Sequence, residues 1–152
     1  MNAFETILGV AIQREIDAYA LYTTAADAAE IPSARQMLRD LAAQEMGHRE
    51  KLESLLAGGL FRVLSTEQDR KIEDLKITDH LVEVPLAPDS DLQGILIVAG
   101  KREAASHDLY TSLAKVAEDS ESVKLFRHLA QEELVHKRRV ESLYDDLVYT
   151  EN

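Results

Sequence analysis

The sequence predicts an all-α protein, a four-helix bundle made of two repeated helical hairpins joined by a long crossover. Three observations carry this. Apolar residues recur at alternating spacings of three and four over four long segments. Only six Gly and three Pro interrupt 152 residues. The chain also repeats itself at an offset of 88 residues. Aligning 7–55 with 95–143 without a gap gives 20 identities in 49 positions. They include Arg14/Arg102, Glu15/Glu103, Tyr22/Tyr110, Glu45/Glu133 and His48/His136. A repeated hairpin that cannot bury its own apolar face packs against its copy.

The segments follow in order. The first helix runs from about Phe4 to Ala29, and Pro32 with Ser33 starts the second. The Gly58-Gly59 pair stops it, so the first hairpin covers about 4–57. Residues 60–90 hold Pro85 and Pro88 and form the crossover, with a short helix around Glu67 to Leu75. Asp89 or Ser90 caps the third helix, which reaches about Glu118. Ser120 caps the fourth, which closes the second hairpin (about 90–148) near Val148. The length suits a single domain over 1–152 with a core of its own.

Composition excludes several classes. A net charge of −11 opposes binding to nucleic acid or to an anionic membrane. With no cysteine there is no disulfide, thiolate zinc site or iron–sulfur cluster. The amino-terminal residues lack the features of a secretory signal, and the apolar run at 94–100 is too short to span a bilayer. A cytoplasmic protein is expected.

The seams carry the chemistry. They read Leu8, Ala11, Glu15, Ala18, Tyr22, Ala25, then Leu38, Leu41, Glu45, His48, Leu52, Leu55. The second copy gives Leu96, Ala99, Glu103, Ser106, Tyr110, Leu113 and Phe126, Leu129, Glu133, His136, Val140, Leu143. Each seam has a Glu at its centre, and two have a His three residues later. Four buried carboxylates repel one another and lose their hydration, so they need protons or cations. Arg14 and Arg102 sit one residue off the seam, and two His cannot balance four Glu. Two divalent cations can. In Glu-x-x-His both side chains leave one helix face toward the same point and can chelate one metal. Glu15, Glu45, His48, Glu103, Glu133 and His136 are therefore the candidate ligands, with Glu15 and Glu103 either terminal or bridging. Carboxylate and imidazole suit iron or manganese, and zinc is an alternative.

Tyr22 and Tyr110 lie two turns beyond Glu15 and Glu103 on the same face. They are either core aromatics or hydrogen-bond donors to ligand carboxylates, and the second reading is preferred. His80 and His128 fall outside the pattern and are expected on the surface. Tyr19 and His107 share one repeat position at the seam's flank.

The stretch AIQREIDAYALY, the EMGH and ELVH pairs and the doubled hairpin resemble the rubrerythrin branch of the ferritin-like di-iron carboxylate superfamily. The resemblance implies a ferritin-like bundle, two iron ions held by those six residues, and reduction of hydrogen peroxide or dioxygen. Such proteins commonly carry a rubredoxin domain with four cysteines; its absence here implies a separate, rubredoxin-like electron donor. They also have a further glutamate ligand one turn before the third-helix Glu. Gly100 stands there, with Ile12 as its repeat mate, which implies a more symmetric site of six protein ligands. Ferritins share the ligand pattern and offer a rival reading as iron-binding, ferroxidase or storage proteins. The 30-residue intervals Glu15–Glu45 and Glu103–Glu133, with 58 residues between Glu45 and Glu103, look more rubrerythrin-like. A homodimer or higher homo-oligomer is expected.

Overall fold

The computed structural model describes residues 1–151. Among them there are five α-helices, one 3₁₀ helix and no strand. The long helices are α1 (Ala3–Ala28), α2 (Pro32–Ala57), α4 (Leu92–Val116) and α5 (Ser120–Glu151). Between the hairpins lie α3 (Thr66–Asp74) and the 3₁₀ turn Ile77–Leu81. α1 packs along α2 and α4 along α5, and the two hairpins meet mainly through α1 and α4. No described helix is long and apolar enough to cross a membrane.

Helix ends follow local chemistry. Asn2 caps α1: its side-chain oxygen accepts from Glu5 N at 3.0 Å, and the Glu5 carboxylate accepts from Asn2 N. Asn2 Nδ2 also donates to the Phe61 and Arg62 carbonyls, tying the start of the crossover to the start of α1. α2 has no side-chain cap, since Ile31 precedes it, but Pro32 at its first position lacks the N–H that would need one. It ends at Gly58, and Gly59 then takes a left-handed φ of +70° that a side chain would strain.

Two caps differ from the sequence reading. Asp91, not Asp89 or Ser90, caps α4 by accepting from Gly94 N at 2.8 Å. Asp119, not Ser120, accepts from Ser122 N at the start of α5. In both places neighbouring residues have capping side chains, and only backbone geometry selects one. α4 also ends at Val116, two residues short of the expected Glu118, because Ala117 turns to extended backbone.

The four seams are buried as their spacing predicts, with Ala18, Leu55 and Leu143 half-buried. The apolar core divides into two clusters along the bundle. One gathers Phe4, Leu8, Leu52, Leu113, Phe126 and Leu129, and Phe4 stacks on Phe61 of the crossover with ring centroids 4.0 Å apart. The other gathers Tyr22, Ala25, Leu38, Leu41, Leu96 and Val140. The seam carboxylates and imidazoles lie on the turns between the two clusters.

Candidate metal centre

All six predicted ligands come together in this layer. Glu15, Glu45, His48, Glu103, Glu133 and His136 are each 3% exposed or less. They form two overlapping groups whose candidate ligand atoms all lie within 4.8 Å of one another. Glu15, Glu45, His48 and Glu133 make the first, and Glu45, Glu103, Glu133 and His136 the second. Glu45 and Glu133 belong to both.

The imidazoles show what the layer lacks. His48 Nε2 faces Glu132 Oε2 at 3.0 Å, and His136 Nε2 faces Gln44 Oε1 at 2.6 Å. Both partners are acceptors, so the ring proton sits on Nε2. Nδ1 of each ring then turns a lone pair inward. There it meets another acceptor: His48 Nδ1 lies 2.8 Å from Glu133 Oε1, and His136 Nδ1 lies 2.6 Å from Glu45 Oε1. These are close ion-pair distances, yet neither atom is hydrogen-bonded. Two such atoms at that range need a proton or a metal ion shared between them.

The same holds for the whole layer. Eight buried side-chain polar atoms have no hydrogen-bond partner among the described residues. Six of them are one atom from each candidate ligand: Glu15 Oε2, Glu45 Oε1, His48 Nδ1, Glu103 Oε2, Glu133 Oε1 and His136 Nδ1. Buried polar atoms are normally satisfied. Six convergent orphans of oxygen and nitrogen fit divalent metal ions of the iron or manganese type.

Electrostatics agree. Burial, reinforced by Glu103 and Glu15, pushes the Glu45 and Glu133 carboxyls well above the ordinary carboxylate range. Burial also raises Glu103 to about 7, although hydrogen bonds with Glu133 and Tyr22 pull it down. Burial, with His48 close by, lowers His136 to about 4. Burial acts the same way on His48, but Glu15 and Glu132 outweigh it and hold the ring above its usual value. Without a cation the layer cannot keep all its carboxylates ionised.

Both tyrosines reach the ligands, each across the bundle. Tyr22 Oη donates to Glu103 Oε1 at 2.7 Å and Tyr110 Oη to Glu15 Oε1 at 2.6 Å. Burial and the adjacent carboxylates raise both phenols well above their ordinary pKa, so they stay protonated and keep donating. His107 and Tyr19 do not enter the layer. His107 Nδ1 pairs with the Ala130 carbonyl, and Tyr19 is 40% exposed. Gly100 brings no carboxylate; a Cβ built there meets only Val140 within 4 Å. Ile12 packs on the first apolar cluster.

Gln44 and Glu132 were missed from the sequence. They are repeat mates, each one residue before a ligand Glu, but they differ in identity, so the repeat does not single them out. His128 is half exposed, as expected, but it pairs with Glu132 and so stands behind His48. Arg14 and Arg102 point off the seams to the crossover. Arg14 Nη2 donates to the His80 and Val82 carbonyls, and Arg102 Nε to the Val84 carbonyl at 3.0 Å. Beneath this segment a cavity of about 350 Å³ runs from Leu81, Val82 and Pro85 to Glu45, Glu103 and Glu133.

A doubled hairpin with one Glu on two helices and Glu-x-x-His on the other two defines the dinuclear carboxylate class of four-helix bundle. The rubrerythrin family model matches residues 6–78 and 94–152, and the chain belongs to that family, whose members are di-iron proteins. Comparisons with curated proteins and with solved structures returned no match.

Proposed function

We propose that the protein is a di-iron oxidoreductase that reduces hydrogen peroxide or dioxygen with electrons from a separate donor such as a rubredoxin-like protein. The observation that carries this reading is the set of six buried orphan atoms on six residues that face one another. Membership of the rubrerythrin family supports iron as the metal.

Glu45 and Glu133, present in both groups, would be shared between two ions. Glu15 with His48, and Glu103 with His136, would each hold one ion. Four carboxylates balance two divalent charges. When bound, two ferrous ions supply the two electrons that take hydrogen peroxide, with two protons, to two waters.

The chain's own residues do the rest. Tyr22 and Tyr110 fix the rotamers of Glu103 and Glu15. Glu132 and Gln44 fix the imidazoles with Nδ1 inward. The apolar clusters above and below keep bulk water out along the bundle axis. The cavity under residues 81–85 reaches Glu45, Glu103 and Glu133 and, at about 350 Å³, has room for peroxide or dioxygen. The closest rival is an iron-storage or ferroxidase protein that takes up iron without reductive turnover.

The test is anaerobic reconstitution with Fe²⁺ followed by hydrogen peroxide, with reduced rubredoxin as donor. Two irons per chain and sustained, catalytic rubredoxin oxidation are expected. Uptake of many irons per chain with no peroxide-dependent donor oxidation would overturn the proposal.

A further inference from the structure

We infer that the two halves of the cage are unequal metal sites, that the half built on His48 fills first, and that Glu132 sets the difference. This rests on the dinuclear reading above.

The cage is close to two-fold symmetric in everything that touches a metal position. Each half has one terminal Glu, one His and the same two shared carboxylates. Each terminal Glu accepts from the tyrosine of the other hairpin, at 2.6 Å for Glu15 and 2.7 Å for Glu103. Both imidazoles present Nδ1 inward and donate Nε2–H outward. The symmetry breaks at the acceptor of that bond. His48 donates to a carboxylate, Glu132, whereas His136 donates to an amide, Gln44.

The two acceptors are not equivalent to a metal on the far side of the ring. A carboxylate draws the Nε2 proton more strongly and leaves more electron density on Nδ1. It also places a negative charge nearer to the His48 side, in direct contact with that ring. Glu132 is itself anchored: His128 Nε2 pairs with its other oxygen from the surface. The repeat mate of His128 is Asp40, which accepts from Gln36 and has no such contact with Gln44. Two positions one turn apart on the outer face of α5 thus favour the His48 half, and their mates on α2 do not favour the His136 half. Outer partners of ligating imidazoles change metal affinity by roughly 10–100-fold when altered. Glu132 is a positioning residue in this scheme, acting through His48.

The experiment titrates the metal-free full chain with Zn²⁺, which has no redox chemistry, by calorimetry and by ¹⁵N NMR of the histidine rings. Repulsion between two cations separates the steps in any such site, so the assignment of the first step is decisive. Expected are His48 ring shifts in the first equivalent and His136 shifts in the second. Glu132→Gln should weaken the first step by about tenfold or more. Gln44→Glu should strengthen binding at His136. The double variant Q44E/E132Q should send the first equivalent to His136 while keeping two sites, which a merely structural role for either residue would not do. His136 shifting first in the wild type, or the order surviving the exchange, would overturn the inference while leaving the dinuclear site intact. Absence of any Zn²⁺ binding would overturn the dinuclear reading and the inference with it.

Discussion

Glu103→Gln in the metal-free protein tests the cost of burying charge in the carboxylate layer. Glu103 has its carboxyl raised from 4.5 to about 7, chiefly by burial. A carboxyl raised on folding contributes stability that is fully present below its unfolded pKa and lost as pH rises through its folded pKa. The window here runs from about 4.5 to about 7. The difference of roughly 2.5 units corresponds to about 3 kcal/mol. The wild-type profile alone does not isolate this. His136, lowered to about 4, contributes stability that is present above its unfolded value near 6.5 and lost as pH falls toward 4. That opposes Glu103 over nearly the same window. The difference between wild type and Glu103→Gln removes the histidine from the comparison. Urea denaturation in chelator should show the variant gaining about 3 kcal/mol on the wild type between about pH 4.5 and pH 8. Saturating metal should reverse the ranking at the upper end, because metal binds the ionised carboxylate. A stability difference that stays flat with pH in chelator would refute the burial argument.

The shared and terminal carboxylates should separate by stoichiometry: Glu45→Ala should lose both metals and Glu15→Ala one, as read by metal analysis of reconstituted protein. Tyr22→Phe should destabilise the metal-loaded protein by about 2 kcal/mol in chemical denaturation, since it removes a donor to a buried ionised oxygen. Arg102→Gln should speed protease cleavage within residues 82–87 by roughly fivefold, the equivalent of about 1 kcal/mol for a partly exposed hydrogen bond from a charged donor. Unchanged cleavage would show that the Arg102 bond does not hold the crossover.

The helices and the cage were legible because both obey one periodicity. A residue such as Glu103 stands out when every other member of its seam is apolar, small or aromatic, and its repeat mate does the same. The partners behind the imidazoles had no such contrast. Gln44 and Glu132 are polar residues beside other polar residues, and only the three-dimensional reach of His136 and His48 across the bundle selects them. The caps at Asp91 and Asp119 were hidden for a similar reason, since adjacent Ser and Asp have the same chemistry. The crossover was least legible. It is held through main-chain carbonyls at His80, Val82 and Val84, and a carbonyl has no residue identity for a pattern to show.

Those three carbonyls belong to alternate residues. His80 lies in the 3₁₀ turn and Val82 just beyond it is extended, and the two arginines reach all three carbonyls. Two arginines at equivalent repeat positions thus grip the main chain of a segment that lies outside the repeat. The segment is consequently tolerant of changes in side chain and intolerant of changes in length. Losing or gaining one residue between Val82 and Val84 would carry the Val84 carbonyl out of reach of Arg102 and open the roof of the cavity. Residues 80–84 act as a ruler, with the spacing of the two hairpins as the distance it keeps.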